Sequence, residues 1–188
     1  MQVALFGGRF DPVHNGHVAI AREVLRVGVA DAVWMVPDNQ HQWNPIVASA
    51  KDRLAMLDLV AGKNILVNDV AIQLGGSTET INVLKTLKQQ YPKDTFLFVC
   101  GSDQLPMLHT WTHWEELKKE LQFLIVPRKG YETKGQLPQN CRWLSDTTFE
   151  PIADSSTEIR KRIKKGESIS DLVPNEVEKY IIGQELYK

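Results

Sequence analysis

The stretch Leu5-Phe6-Gly7-Gly8-Arg9-Phe10-Asp11-Pro12-Val13-His14-Asn15-Gly16-His17 decides the fold. It starts as the end of an apolar run, residues 2–6, and finishes where an amphipathic pattern begins, residues 17–27. A short apolar run stopped by glycines reads as a strand covered on both faces. Val18, Ile20, Ala21, Val24 and Leu25 then recur with the 3.6-residue period of a helix. In an open parallel sheet the carboxyl end of such a strand faces the ligand crevice. Gly7 and Gly8 there let backbone N–H groups approach a ligand, and the oncoming helix offers the positive end of its dipole. His14 and His17 stand one turn apart at the helix start, so both imidazoles can face one side. Gly16 between them leaves room for a flat or bulky ligand. Two histidines three apart can also hold zinc, but no third ligand is evident nearby, so no metal ligand is assigned.

The same alternation continues along the chain. Residues 32–36, 65–68 and 122–126 read as further strands, and Thr95 to Cys100 (TFLFVC) as the strongest. Residues 51–60 and 80–90 read as helices, the second with Thr80 placed as its N-cap. Residues 155–165 and 174–182 read as two more, with Pro174 suited to the first turn of the last. Residues 38–47 and 131–140 read as loops. Strands alternating with helices predict an α/β fold: a Rossmann-like open, mostly parallel sheet with helices on both faces and further C-terminal helices.

The chain has 188 residues, which suits one domain spanning 1–188. Lys+Arg is 22 and Asp+Glu 23, a formal charge of -1. That balance argues against a nucleic-acid binder with a broad basic face and against a polybasic membrane binder. The two cysteines, Cys100 and Cys141, form no CxxC pair, which excludes a cysteine-built zinc site and suggests no disulfide scaffold. The opening MQVALFGGRF is too short an apolar run, and lacks the basic start, for a signal peptide. No run approaches the ~18 apolar residues of a membrane span. A soluble, cytoplasmic protein is the expectation.

A second constellation is Asp154-Ser155-Ser156-Thr157-Glu158-Ile159-Arg160. Ser155 three residues before Glu158 is a capping box. The first-turn N–H groups behind it can also take an anion, with Arg160 one turn inward on the same side. Arg160, Lys161, Arg162, Lys164 and Lys165 then put a local cluster of cations on this helix.

GGRFDPVHNGH resembles the signature of the nucleotidyltransferase superfamily that carries an HxGH motif, and SSTEIR resembles its second signature. Class I aminoacyl-tRNA synthetases share the HxGH element, but they are much longer and carry a Lys-rich loop that is not seen here. Three further segments resemble the bacterial nicotinate-mononucleotide adenylyltransferases: Arg53 to Leu57, the Gly101-Ser102-Asp103 element followed by Leu105 to Trp111, and Ile125 to Gly130. The resemblance covers residues 2 to about 184, in order.

It implies adenylyl transfer from ATP, with Mg²⁺, to a pyridine mononucleotide, releasing pyrophosphate. His14, His17 and Arg160 would be catalytic. Gly7, Gly8, Phe10, Gly16, Gly101, Asp103, Ser155, Ser156 and Thr157 would hold the nucleotide. Thr80, Trp111 and Arg128 would meet the acceptor. The sequence departs from the family pattern twice. Residues 37–44 lack its PPHK-type element. Ser77-Thr78-Glu79-Thr80 replaces its PSYT, with Glu79 where Tyr is expected. An acidic side chain beside a pyridine carboxylate would cost about 1 kcal/mol in partly wet surroundings. Another phosphate acceptor, CTP as donor, and a non-catalytic nucleotide-binding regulator therefore stay open.

Overall fold

A computed structural model describes residues 1–40, 46–76, 79–128, 130–131, 137–144 and 155–188. Its centre is one six-stranded sheet, every pair parallel. The strands are β1 (Gln2–Gly8), β2 (Ala32–Pro37), β3 (Ile65–Val67), β4 (Thr95–Gly101), β5 (Gln122–Val126) and β6 (Cys141–Trp143). Their spatial order is β3-β2-β1-β4-β5-β6, the doubly wound order.

Side-chain alternation explains the continuous apolar runs. Ala4 and Phe6 of β1, Leu97 and Val99 of β4, and Leu124 and Val126 of β5 enter one core. Val3 and Leu5, Phe96 and Phe98, and Phe123 and Ile125 enter the other. Both faces are covered, so both registers must be apolar. The first face carries α1 (Asn15–Arg26), α2 (Ala50–Asp58), α6 (Ser156–Lys164) and α7 (Asn175–Gly183). The second carries α3 (Val70–Leu74), α4 (Thr80–Gln90) and α5 (Trp114–Glu120). The expected Rossmann-like architecture is what forms.

The details differ where local signals are weak. Residues 70–74 and 141–143 form a helix and a strand the periodicity does not announce, since three to five residues carry too little pattern. Residues 102–110 form a 3₁₀ stretch after β4. Trp111 ends that stretch and Trp114 opens α5, so the two rings do not share one helix. Both nonetheless pack against the second core. Thr80 is the first helical residue of α4, and the extended residue before it, Glu79, occupies the N-cap position. Pro174 likewise precedes the first turn of α7. Of the sequence-predicted features, residues 41–45, Ser77, Thr78, Lys129, residues 132–136 and Asp154 lie outside the described residues.

Candidate active site

The register of the sheet opens the site. β1 and β4 pair up to Phe6–Val99. Beyond that point Gly7 and Gly8 pair only with β2, and Cys100 and Gly101 only with β5. The two central strands thus part company at their carboxyl ends, at the topological switch point where ligands bind in such sheets. Beside it lies a crevice of about 270 Å³, counted out to its open mouth. His14, Gly16, His17 and Ile20 line one side, and Val126, Pro127 and Arg128 the other.

His14 and His17 stack, ring centroids 3.6 Å apart and 28° from parallel. The backbone N–H of His14 donates to His17 Nδ1 at 3.3 Å. A neutral imidazole with Nδ1 accepting carries its proton on Nε2, so this contact sets the tautomer of His17. The edge of Phe10 meets His17 at 4.8 Å and Phe6 meets it at 5.8 Å. Phe10 is buried and left-handed, φ 48°. Its ring therefore backs the imidazole from the core side. His14 Nδ1 is buried with no hydrogen-bond partner among the described residues.

Burial first, then the Arg128 charge, lowers the His14 pKa to about 3. Burial, then His14 and Arg128, drives His17 in the same direction. Both imidazoles are therefore uncharged at neutral pH. Each neutral ring keeps one N–H, which can donate a hydrogen bond to an anion.

This has a consequence for stability. His14 titrates near 3 in the fold and about 6.5 in the unfolded chain. Between those values the unfolded chain binds more protons, so stability is intact above pH 6.5 and is lost as pH falls. The slope is about 1.4 kcal/mol per pH unit for such a group. Asp38 opposes it in part, because burial raises its pKa to about 6 despite Arg53 and Arg9. Comparing wild type with His14→Gln cancels Asp38. From pH 6.5 to 5.0 the variant should lose about 2 kcal/mol less, read from urea midpoints. Identical pH dependence would contradict the burial of a neutral His14.

Arg128 reaches the crevice by a built route. Its N–H donates to Ser102 Oγ at 2.9 Å, and its Nε stands 3.1 Å from Asp103 Oδ1. A Cβ on Gly101 would sit 2.1 Å from Asp103 Oδ1 and 2.6 Å from Arg128 Nε. Gly101 is thus the floor on which this ion pair closes. Gly7 also serves packing: a Cβ there would lie 2.9 Å from the Phe98 ring. Gly8 faces only ordinary contacts with Phe10.

The second constellation docks on the first. Ser155 Oγ accepts from the Glu158 N–H at 3.2 Å and caps α6, half of the expected box. Ser156 Oγ donates to the Pro12 carbonyl at 2.9 Å. Arg160 donates to the Asp11 carbonyl at 2.6 Å and to Thr157 Oγ1 at 3.3 Å. The hydroxyl of Ser156 is spent on stapling, while Ser155 and Thr157 accept and keep a proton to give. Lys161, Arg162 and Lys165 are paired with Glu158, Asp171 and Glu167. Arg160 is the member of the cationic cluster that reaches the first constellation.

Beneath lies a buried polar group that the sequence reading misses. Asp11 is 0% exposed and accepts from the N–H groups of Val47 and Ala48, at 2.7 and 3.0 Å. Arg53 is 1% exposed and donates to the Arg9 carbonyl at 2.9 Å. A cation among Met56 and Leu57, on the core-facing side of α2, was the available signal.

Thr80 and Trp111 lie apart from the histidines, on the second face. Trp111 meets Phe98 edge-on at 5.6 Å, and Phe98 packs under Gly7. Glu79 turns away from capping and accepts from the Thr112 hydroxyl at 2.9 Å. That contact ties the start of α4 to the residue after Trp111.

The chain matches the cytidylyltransferase-like family over residues 5–162. It is 36% identical to a probable nicotinate-nucleotide adenylyltransferase of Shouchella clausii, over 99% of this chain and 96% of that protein. It is 32% identical to the nicotinate-nucleotide adenylyltransferase of Bacillus subtilis, over 100% and 98%. Among solved structures, the Plasmodium falciparum nicotinic acid mononucleotide adenylyltransferase complexed with NaAD shares the fold. Its TM-score is 0.83 at 24% identity, covering 99% of this chain and 97% of that one. Relatives aligned end to end at this identity make the chain a member of the nicotinate-nucleotide adenylyltransferase family.

Proposed function

We propose that the chain joins the AMP moiety of ATP to nicotinate mononucleotide, releasing pyrophosphate, as a step of NAD biosynthesis. A phosphate oxygen of the mononucleotide attacks the α-phosphorus in line. One P–O bond forms there, and the bond to the bridging oxygen of the β-phosphate breaks. The acceptor is already a nucleophile, so catalysis is positioning and charge stabilisation. His17 Nε2–H and His14 donate to phosphate oxygens as charge builds on them. Arg160 and the first-turn N–H groups of α6 hold the outer phosphates. Gly7, Gly8, Phe10 and Gly16 shape the nucleotide's approach, and Gly101 and Asp103 flank its adenosine. Trp111, Thr80 and Arg128 serve the acceptor.

The observation that carries this reading is the stacked pair of neutral imidazoles at the strand switch point, His14 buried with an unpartnered nitrogen and His17 half-buried beside it. Mg²⁺ enters with ATP as part of the substrate. No helix among the described residues is long and apolar enough to cross a membrane. Two free cysteines suit a reducing, cytoplasmic setting. One sheet with α6 and α7 docked on its first face supports a single domain over residues 1–188.

The test is pyrophosphate release with ATP or CTP as donor and nicotinate or nicotinamide mononucleotide as acceptor. ATP with the nicotinate form should give the highest kcat/KM. Glu79 is the reason to include the amide, since its carboxylate would repel an acidic ring but not a neutral one. Release with no pair, alongside clear ATP binding, would instead identify a nucleotide-binding regulator.

A further inference from the structure

We propose that Tyr187 is a positioning residue for the phosphate end of the site, acting through Asp11 on Arg160 and on the turn that presents His14. The proposal rests on the reading of Arg160 as a phosphate-binding residue. Tyr187 lies beyond α7, 176 positions from Asp11, yet its hydroxyl donates to Asp11 Oδ1 at 2.8 Å. The side chain is 5% exposed. Its backbone is left-handed, φ 66°, as is that of Glu185, φ 54°. L side chains seldom adopt that conformation, and here it turns the phenol inward. Burial and the Asp11 carboxylate keep the phenol protonated, so it is a permanent donor.

Asp11 is where the grip matters. Its carboxylate gathers Tyr187 and the N–H groups of Val47 and Ala48. Its backbone carbonyl takes the 2.6 Å bond from Arg160. Arg53 holds the Arg9 carbonyl two residues earlier, and Ser156 holds the Pro12 carbonyl one residue later. Residues 9–12 are thus anchored from α2, from α6 and from the segment after α7. His14 follows two positions on. A phenylalanine would fill the same space as Tyr187. The hydroxyl adds only the bond to Asp11, so it serves orientation beyond packing.

The test compares Tyr187→Phe with Tyr180→Phe and Arg160→Ala. Tyr180 also donates its hydroxyl to a carboxylate, Asp52 Oδ1 at 3.0 Å, but on the outer side of α2. Tyr187→Phe should raise KM for ATP about tenfold, the scale of one hydrogen bond to a charged group. KM for the mononucleotide should stay unchanged. Tyr180→Phe should shift only the melting temperature. The Tyr187→Phe effect on ATP affinity should shrink in an Arg160→Ala background, because both hold the same residue, Tyr187 at the Asp11 carboxylate and Arg160 at its carbonyl. Lower stability with unchanged KM for ATP, or an effect that simply adds to Arg160→Ala, would overturn the positioning role. Unchanged ATP affinity in Arg160→Ala alone would overturn the phosphate reading itself. Calorimetric titration of the folded fraction keeps both outcomes readable if a variant is less stable.

Discussion

Replacing His17 by alanine should lower turnover by about 10²–10³-fold, the usual cost of removing one preorganised donor to developing oxyanion charge. The size follows from how the ring is held. His17 has its tautomer set by the His14 N–H, its face stacked on His14, and its edge against Phe10. An imidazole fixed on three sides spends no reorganisation when charge appears on the phosphate. The fold should survive, because the ring is a partner to Phe6 and Phe10 rather than a member of the apolar core. The measurements are kcat from pyrophosphate release and a melting curve on the same preparation. A folded variant with near-normal kcat would remove His17 from the mechanism.

The second large effect is on stability. Asp11→Ala should destabilise by about 3–5 kcal/mol, the cost of removing a buried carboxylate that faces Arg160 at 4.0 Å and leaving its partners unmet. At about 2–4 °C per kcal/mol for a chain of this size, the melting temperature falls by about 6–20 °C. The variant would strand the N–H groups of Val47 and Ala48, the Tyr187 hydroxyl, and part of the field around Arg53. Asp11→Asn keeps the volume but carries one acceptor oxygen in place of two. Its NH₂ would face either the Val47 or the Ala48 donor. It should therefore recover only part of the loss. Thermal and urea unfolding check both variants, and an alanine variant melting within a degree or two of wild type would contradict the account.

What the sequence discloses here is set by period and length. β1, β4 and β5 are apolar through four or more residues, and their ends are readable to within two positions. α3 and β6 are too short to show a period, and they form because the sheet and α4 offer them a surface. The two nucleotide motifs are legible because each is local: strand, glycines and helix start in one run, cap and arginine in another. Asp11, Arg53 and Tyr187 form the opposite case. Their meaning lies in contacts 44 and 176 positions apart. Only Arg53 leaves a trace, a cation on a core-facing helix position. Arg128 is legible by resemblance alone, since its approach to the crevice depends on Ser102 and on the missing side chain of Gly101.

Phe98 links parts that chemistry treats as separate. Its ring fills the space where a Gly7 side chain would stand, and its edge meets Trp111. One wall therefore serves two neighbours, with Gly7 of β1 on one side and Trp111, the residue proposed for the acceptor, on the other. An engineer who enlarges position 7 to alter nucleotide preference must first shrink position 98, and Trp111 then loses its rest. With the roles proposed for Gly7 and Trp111, donor and acceptor selectivity would then not be independent dials. A library that varies residues 7, 98 and 111 together can reach combinations that one-at-a-time substitution would discard.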